Sequence, residues 1–411
     1  MKKTSIILFV MFLVAVAAQN VIVHNLNQRQ HSPTNYTIVL SIDGFRADYP
    51  TLAVTPALDS IEHQGVKAKS FAPSFPTVTF TNHYGMATGL YAEKHGIVAN
   101  KFMHRGLKQF YNYTDTNSVL NSKFYKGEPI WVTAEAQKVH TASYFWVGSE
   151  VSVKGYKPSI TKKFDGSVPY VNRIDSITAW LQLPVKQRPR LVMCYIEDVD
   201  NIGHTYGTSG PEIVSAISRA DSLINRLRNN IAALSFSDSV NLIIVSDHGM
   251  ANLDTVSRIV NLNQYLPAHL VDTVSYSDAF SMVYCKKNCT DSVVAAFNGV
   301  EGIKAIARNN MPANYHFSAN EHCIGDVILL ADSAWCMSYN NLPMRAGAHG
   351  FAPENNLMNG IFYAVGPDFK QGYEAPQLQN IDLYALLCRL LHISPAQTDS
   401  DLSRINCVLK Q

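Results

Sequence analysis

Four apolar runs of about seven residues each recur along this 411-residue chain and constrain its fold more than any other feature. They are YTIVLSI (36–42), RLVMCYI (190–196), VNLIIVS (240–246) and NGIFYAV (359–365). Runs so uniformly apolar and so short read as strands buried on both faces, as in a parallel sheet. The segments between them change period. Ile213, Ile217, Ala220, Ile224, Leu227, Ile231 and Leu234 recur at three- and four-residue spacing and mark one face of a long helix. In TPALDSIEHQG, Thr55 reads as a helix cap, Pro56 as the first turn and Gly65 as the stop. The alternation predicts an α/β fold, a mostly parallel sheet covered by helices on both faces. Residues from about 251 to 340 alternate less clearly and are expected to form a smaller inserted lobe.

In open parallel sheets, ligands gather beyond the carboxyl ends of the strands. The polar residues follow that rule. The first strand runs into Asp43, the second into Asp200 and His204, and the third into Asp247 and His248, while His349 precedes the fourth. Each motif alone is weak, because an Asp after a strand is usually a cap or turn residue. Together they are three carboxylates and three imidazoles. Zinc takes these donors, and a catalytic site leaves a coordination position open. Six donors divide between two ions, and ions roughly 3.5–4 Å apart can clamp the attacking and leaving oxygens at phosphorus. Asp200 and His204 then serve one metal, whereas Glu197 and Asp198 are expected to be solvated or to support the ligands. The nucleophile candidate is Thr79, at the expected start of a helix, where free N–H groups favour a phosphate.

Composition sets the context. With 47% hydrophobic and 16% charged residues, and a net charge of +2, the chain has neither a nucleic-acid-binding nor a strongly membrane-attracted surface. MKK, then SIILFVMFLVAVAA, reads as a secretory signal peptide over residues 1–18, with cleavage near Ala17 or Ala18. Residues 19–411 are expected to be a single catalytic domain, secreted or periplasmic. Seven cysteines leave at least one thiol unpaired, and Cys194, inside an apolar strand, is the expected one.

SIDGFR, PTVTFTNHYGMATGLYAEKHGIV, GEPIW, FWVGSE, EDVDNIGHTYG, SDHGM and GAHGF occur in that order between about residues 36 and 370. This set resembles the nucleotide pyrophosphatase/phosphodiesterase family of the alkaline phosphatase superfamily. The resemblance implies an alkaline phosphatase-like fold, one zinc ion held by Asp200, His204 and His349, and a second by Asp43, Asp247, His248 and the Thr79 oxygen. It implies hydrolysis of nucleotide diesters and pyrophosphates to nucleoside 5′-monophosphates through a covalent Thr79 intermediate. Asn82 matches an asparagine that donates to a phosphate oxygen, Phe80 an aromatic of the base slot, and Phe164 the place of a stacking tyrosine. Two positions depart from the family pattern, Thr81 and Val199 each standing where members carry proline.

Related chemistries compete. A sulfatase would need a cysteine or serine in a Cys/Ser-x-Pro-x-Arg context, and Thr79 stands in the nucleophile position instead. A phosphomonoesterase or a choline-phosphate lipid diesterase could use the same two metals. A monoester dianion calls for an extra arginine, and the nearest candidate, Arg46, is expected in the turn after Asp43. A secreted binding protein with structural metals is the reading from another class, disfavoured because structural zinc sites are closed by four ligands.

Overall fold

A computed structural model describes residues 35–340 and 342–410. The expected signal peptide, 1–18, lies outside the described residues. Eight strands form one sheet in the order Tyr373–Ala375, Val66–Ala68, Phe362–Val365, Val240–Val245, Tyr36–Ile42, Leu191–Ile196, Thr141–Tyr144 and Ile160–Lys162. All pairings are parallel except the two made by Phe362–Val365, which runs against both neighbours.

The alternation of side chains across the first strand explains why both faces are covered. Ile38, Leu40 and Ile42 point into a core shared with Ala57, Leu58 and Ile61 of helix Pro56–Gln64, Ile174 and Ile177 of helix Tyr170–Leu181, and Ile213 to Leu227 of helix Pro211–Ala232. Val39 faces the opposite core, with Tyr84 and Met86 of helix Thr79–Thr88, Trp131 of helix Ile130–Ala136, and Leu383 to Leu391 of the helix of that span. A strand with apolar residues on both faces can be stable only between two helical layers.

Between 251 and 340 the chain builds a second, antiparallel sheet, ordered Val271–Ser275, Phe280–Cys285, Val327–Ala331, Ile303–Ala307. Its strands alternate as well. Phe280, Met282, Tyr284, Ile328 and Leu330 join the core of the large sheet, while Val283 and Leu329 pack with Val293 and Phe297 of the following helical segment. The smaller sheet is therefore welded to the larger one.

Candidate active site

The three central strands end in register, with Ile42 opposite Ile196 and Ser41 opposite Val245. The residues that follow them emerge at one edge. Gly44 lets two of these ends close on each other: its φ is +65°, and a Cβ there would stand 2.9 Å from Asp200 Cα. Asp200 and His204 lie one turn apart on helix Asp198–Tyr206 and share a face, with His204 Nε2 3.3 Å from Asp200 Oδ2. His349 follows the short antiparallel pair of Ala251–Asn252 with Gly347–Ala348.

All six predicted ligands meet there. His248 Nε2 is 3.0 Å from Asp247 Oδ2 and 3.4 Å from Asp43 Oδ1. His349 stacks on His248, ring centres 3.7 Å apart, and the His204 ring lies 5.0 Å beyond it. Ligand atoms of Asp43, Asp247 and His248 lie within 4.8 Å of one another, as do those of Asp200, His248 and His349.

The donor set fits divalent cations on two independent grounds. Asp43 Oδ1, Asp200 Oδ1 and Asp247 Oδ2 are buried with no hydrogen-bond partner among the described residues, a costly arrangement for carboxylates unless a cation compensates. Each imidazole is also oriented. The Nδ1–H groups of His204, His248 and His349 donate to the carbonyls of Gly347, Gly249 and Thr77, at 2.8, 2.9 and 3.0 Å. That leaves every Nε2 as the lone-pair nitrogen, the arrangement metal-binding histidines use.

Charge is crowded accordingly. Burial, then Asp247 and Asp200, push the Asp43 carboxyl well above the usual carboxylate range. Burial opposes ionisation of Asp247 too, but His248 and His83 outweigh it and hold that carboxyl well below the usual range. Burial, then His248 and His204, drive His349 well down. Burial also lowers His204.

Thr79 is the first residue of its helix, and its Oγ1 stands 3.1 Å from His248 Nε2. A family model described as type I phosphodiesterase / nucleotide pyrophosphatase matches residues 37–352. The chain belongs to that family. Human ectonucleotide pyrophosphatase/phosphodiesterase family member 1 is 33% identical over 392 residues, an alignment covering 91% of this chain and 42% of the human protein. The venom phosphodiesterase of Crotalus durissus collilineatus is 33% identical over 387 residues, covering 91% and 46%. The chain thus spans less than half the length of these relatives. Among solved structures, murine ectonucleotide pyrophosphatase/phosphodiesterase 5 superposes with a TM-score of 0.86 at 28% identity, over 91% of this chain and all of that one. An inactive threonine-to-alanine variant of the murine protein, in complex with AMP, superposes equally well at 27% identity over 92% of this chain.

In this member of the family, Asp43, Asp200, His204 and His349 of the cluster, with Thr79, line a cavity of about 940 Å³. Phe80 and Phe164 both line it. Phe80 packs against Tyr113, ring centres 5.6 Å apart. Phe164 is 52% exposed and leans on Phe145 at 5.0 Å. Asn82 does not take the place expected of it. It is fully buried, its Nδ2 donates to the carbonyls of Pro76 and Val78, and its Oδ1 accepts from Ser74 N–H and Asn380 Nδ2. Three of these bonds hold the turn into the helix and the fourth holds Asn380, so the amide has none for a phosphate. Asn100, from GIVANKF, lines the cavity instead. Its Oδ1 accepts the Phe80 N–H at 2.9 Å, beside Thr79. The same bond occupies one of the helix N–H groups that sequence reasoning left free for phosphate.

Other partners had no sequence signal of their own. His83 Nδ1–H donates to the Thr79 carbonyl at 3.0 Å and the same nitrogen stands 3.3 Å from Asp247 Oδ2, while the Ser41 hydroxyl lies 2.9 Å from its Nε2. Tyr195 OH donates to Asp43 Oδ2 at 2.5 Å. Glu197 pairs with buried Arg173 and Asp198 with Arg219, so both support the helix that carries Asp200. Arg46 binds Asp48 and the Met250 carbonyl, in the turn where it was expected. The expectation of no further arginine fails: Arg345 lines the cavity, and its guanidinium donates to His204 Nε2 at 2.8 Å. Cys194 is buried, which pushes its thiol up to about 12.

Proposed function

We propose that this chain is a secreted or periplasmic two-zinc phosphodiesterase and pyrophosphatase that releases nucleoside 5′-monophosphates from nucleotide diesters and pyrophosphates. The observation that carries this reading is the Thr79 hydroxyl against His248, on the floor of a cavity whose other wall is aromatic. The names of the relatives and the AMP held by the murine variant support it.

Asp43, Asp247, His248 and Thr79 would hold one ion, and Asp200, His204 and His349 the other. Bound zinc supplies Lewis acidity and lowers the pKa of hydroxyl and water. Thr79 Oγ1, its proton lost to solvent, attacks phosphorus, and the bond to the leaving oxygen breaks. Water then attacks the nucleotidyl-threonine and Thr79 departs, recovering a proton. Asn100 Nδ2 donates to a non-bridging oxygen that gains charge in the transition state. Phe80 and Phe164 offer apolar faces to the base, a contact of about 1–3 kcal/mol per stacked base.

The test is kcat/KM on a nucleoside phosphodiester, an aryl monoester and a phosphocholine ester, with and without chelator. The nucleotide diester should be preferred, and the chelator should abolish turnover. A preference for the monoester or the phosphocholine ester overturns the nucleotide assignment.

A further inference from the structure

We propose that Arg345 binds the departing phosphate chain and so selects substrates whose leaving group is itself a phosphate, over diesters of simple alcohols or phenols. The proposal rests on the phosphodiesterase reading above. Three cationic side chains line the cavity among the described residues: Lys101, Lys163 and Arg345. Lys101 lies over the Tyr113 ring, and Lys163 adjoins Phe164 in sequence, so both have aromatic neighbours. Arg345 alone of the three reaches the metal-ligand cluster, against His204.

Its position along the cluster assigns its partner. The imidazoles form a row, His248 stacked on His349 and His204 beyond it. Thr79 stands at the His248 end. An in-line displacement sends the departing oxygen away from the nucleophile, toward the His204 end of the row. The Thr79 Oγ1–P bond forms as the bond from phosphorus to the bridging oxygen breaks. That oxygen keeps the electron pair and leaves as a pyrophosphate anion, and it needs no proton. The Thr79 proton has gone to solvent.

A tether holds Arg345 at that end. Its Nε lies 3.8 Å from Oδ2 of Asp278, whose side chain is almost fully buried and whose Oδ1 accepts from Tyr276 OH at 2.9 Å. Tyr276 and Asp278 occupy the connection between strands Val271–Ser275 and Phe280–Cys285, so the smaller sheet delivers the tether. A guanidinium and a metal ion cannot share the His204 Nε2 lone pair. With that nitrogen acting as a ligand, Asp278 is the remaining anchor, and the guanidinium fork turns its other N–H groups to phosphate oxygens, which it matches two at a time. Asp278 is thus a positioning residue.

The experiment compares a nucleoside triphosphate with a nitrophenyl diester of the same nucleoside monophosphate. The scissile phosphorus is the same and only the leaving group differs. Because both assays read the same folded molecules, the ratio of their kcat/KM values is insensitive to the fraction folded. Arg345→Ala should lower the triphosphate-to-aryl ratio by roughly 10- to 100-fold, the range of a lost charge-assisted hydrogen bond. Arg345→Lys should restore part of it, and Asp278→Asn should lower it in the same direction. Inhibition of the aryl reaction by inorganic pyrophosphate should weaken alongside in Arg345→Ala. An unchanged ratio, or an equal loss on both nucleotides and on an aryl monoester, overturns the proposal, the second by placing Arg345 on the scissile phosphate. If the wild-type enzyme cleaves neither nucleotide, it is the phosphodiesterase reading that fails.

Discussion

The ligand floor and the aromatic wall of the cavity are built on different principles. On the ligand floor the side chains are tied down: each imidazole Nδ1–H is bonded to a backbone carbonyl, Tyr195 donates to Asp43, and His83, bonded to the Thr79 carbonyl, stands against Asp247. On the aromatic wall Phe164 is half exposed and held mainly by one ring contact and its backbone N–H to Glu150. The chemistry of phosphoryl transfer tolerates little displacement, since mispositioned groups lose most of their rate advantage. Recognition of a flat base needs area more than exact placement. Rigidity is therefore concentrated where charge develops.

Perturbing floor and wall should show that asymmetry. Thr79→Ala removes the nucleophile and should cut turnover by about four orders of magnitude, while metal content stays at the wild-type level. Wild-type-like turnover would sink the assignment. His248→Ala and His349→Ala should each lose roughly one metal equivalent by elemental analysis, with most of the activity. Full metal and full activity in either variant would mean the cluster is not the site. Asn100→Ala should lower kcat by roughly 10²- to 10³-fold with little change in KM, the signature of a donor used in the transition state. A larger effect from Asn82→Ala on kcat, at equal thermal stability, would restore Asn82 to the role. His83→Ala leaves the ligands in place but frees Asp247, so metal affinity should fall by roughly 10- to 100-fold. A competition assay with a chelator reads this directly, and an unchanged affinity would remove His83 from the tied-down floor. The smallest effect belongs to the aromatic wall. Phe164→Ala should raise KM for a nucleotide roughly 5- to 10-fold, the lower part of the stacking range for a half-exposed ring. KM for a small aryl diester should hardly move. Equal effects on both substrates would show that the ring supports the fold and not the base.

Much of this was legible before any coordinates, and unevenly so. The strands at 36–42, 190–196 and 240–246 follow from two-sided apolarity, and the helix at 211–232 from its period, because burial pattern and secondary structure share one physical cause. The smaller sheet was harder to read. Its alternate residues face two different cores, so neither a polar face nor a continuous apolar run appears in VDTVSYSDAF or IKAIARNN. Asn82 misled because it sits three residues from Thr79 on the same helix, and proximity in sequence was taken for proximity to phosphate. Its amide was needed by the unpaired backbone groups of Ser74, Pro76 and Val78.

Sequence alone determined which residue types end the central strands, and hence that three carboxylates and two imidazoles would gather at one edge of a parallel sheet; His349, which precedes the fourth strand, joins them because that strand runs antiparallel. The reason is that strand direction and register follow from hydrophobic pattern, and whatever follows a parallel strand must emerge at its carboxyl end. Only the tertiary structure decided which neighbours those ligands would have. Asn100 beside Phe80, His83 against Asp247, Tyr195 on Asp43 and Arg345 on His204 join segments from 20 to 164 residues apart. No local pattern encodes such contacts, because they depend on how loops fold back over the sheet and on which buried groups remain without a partner once the core has formed.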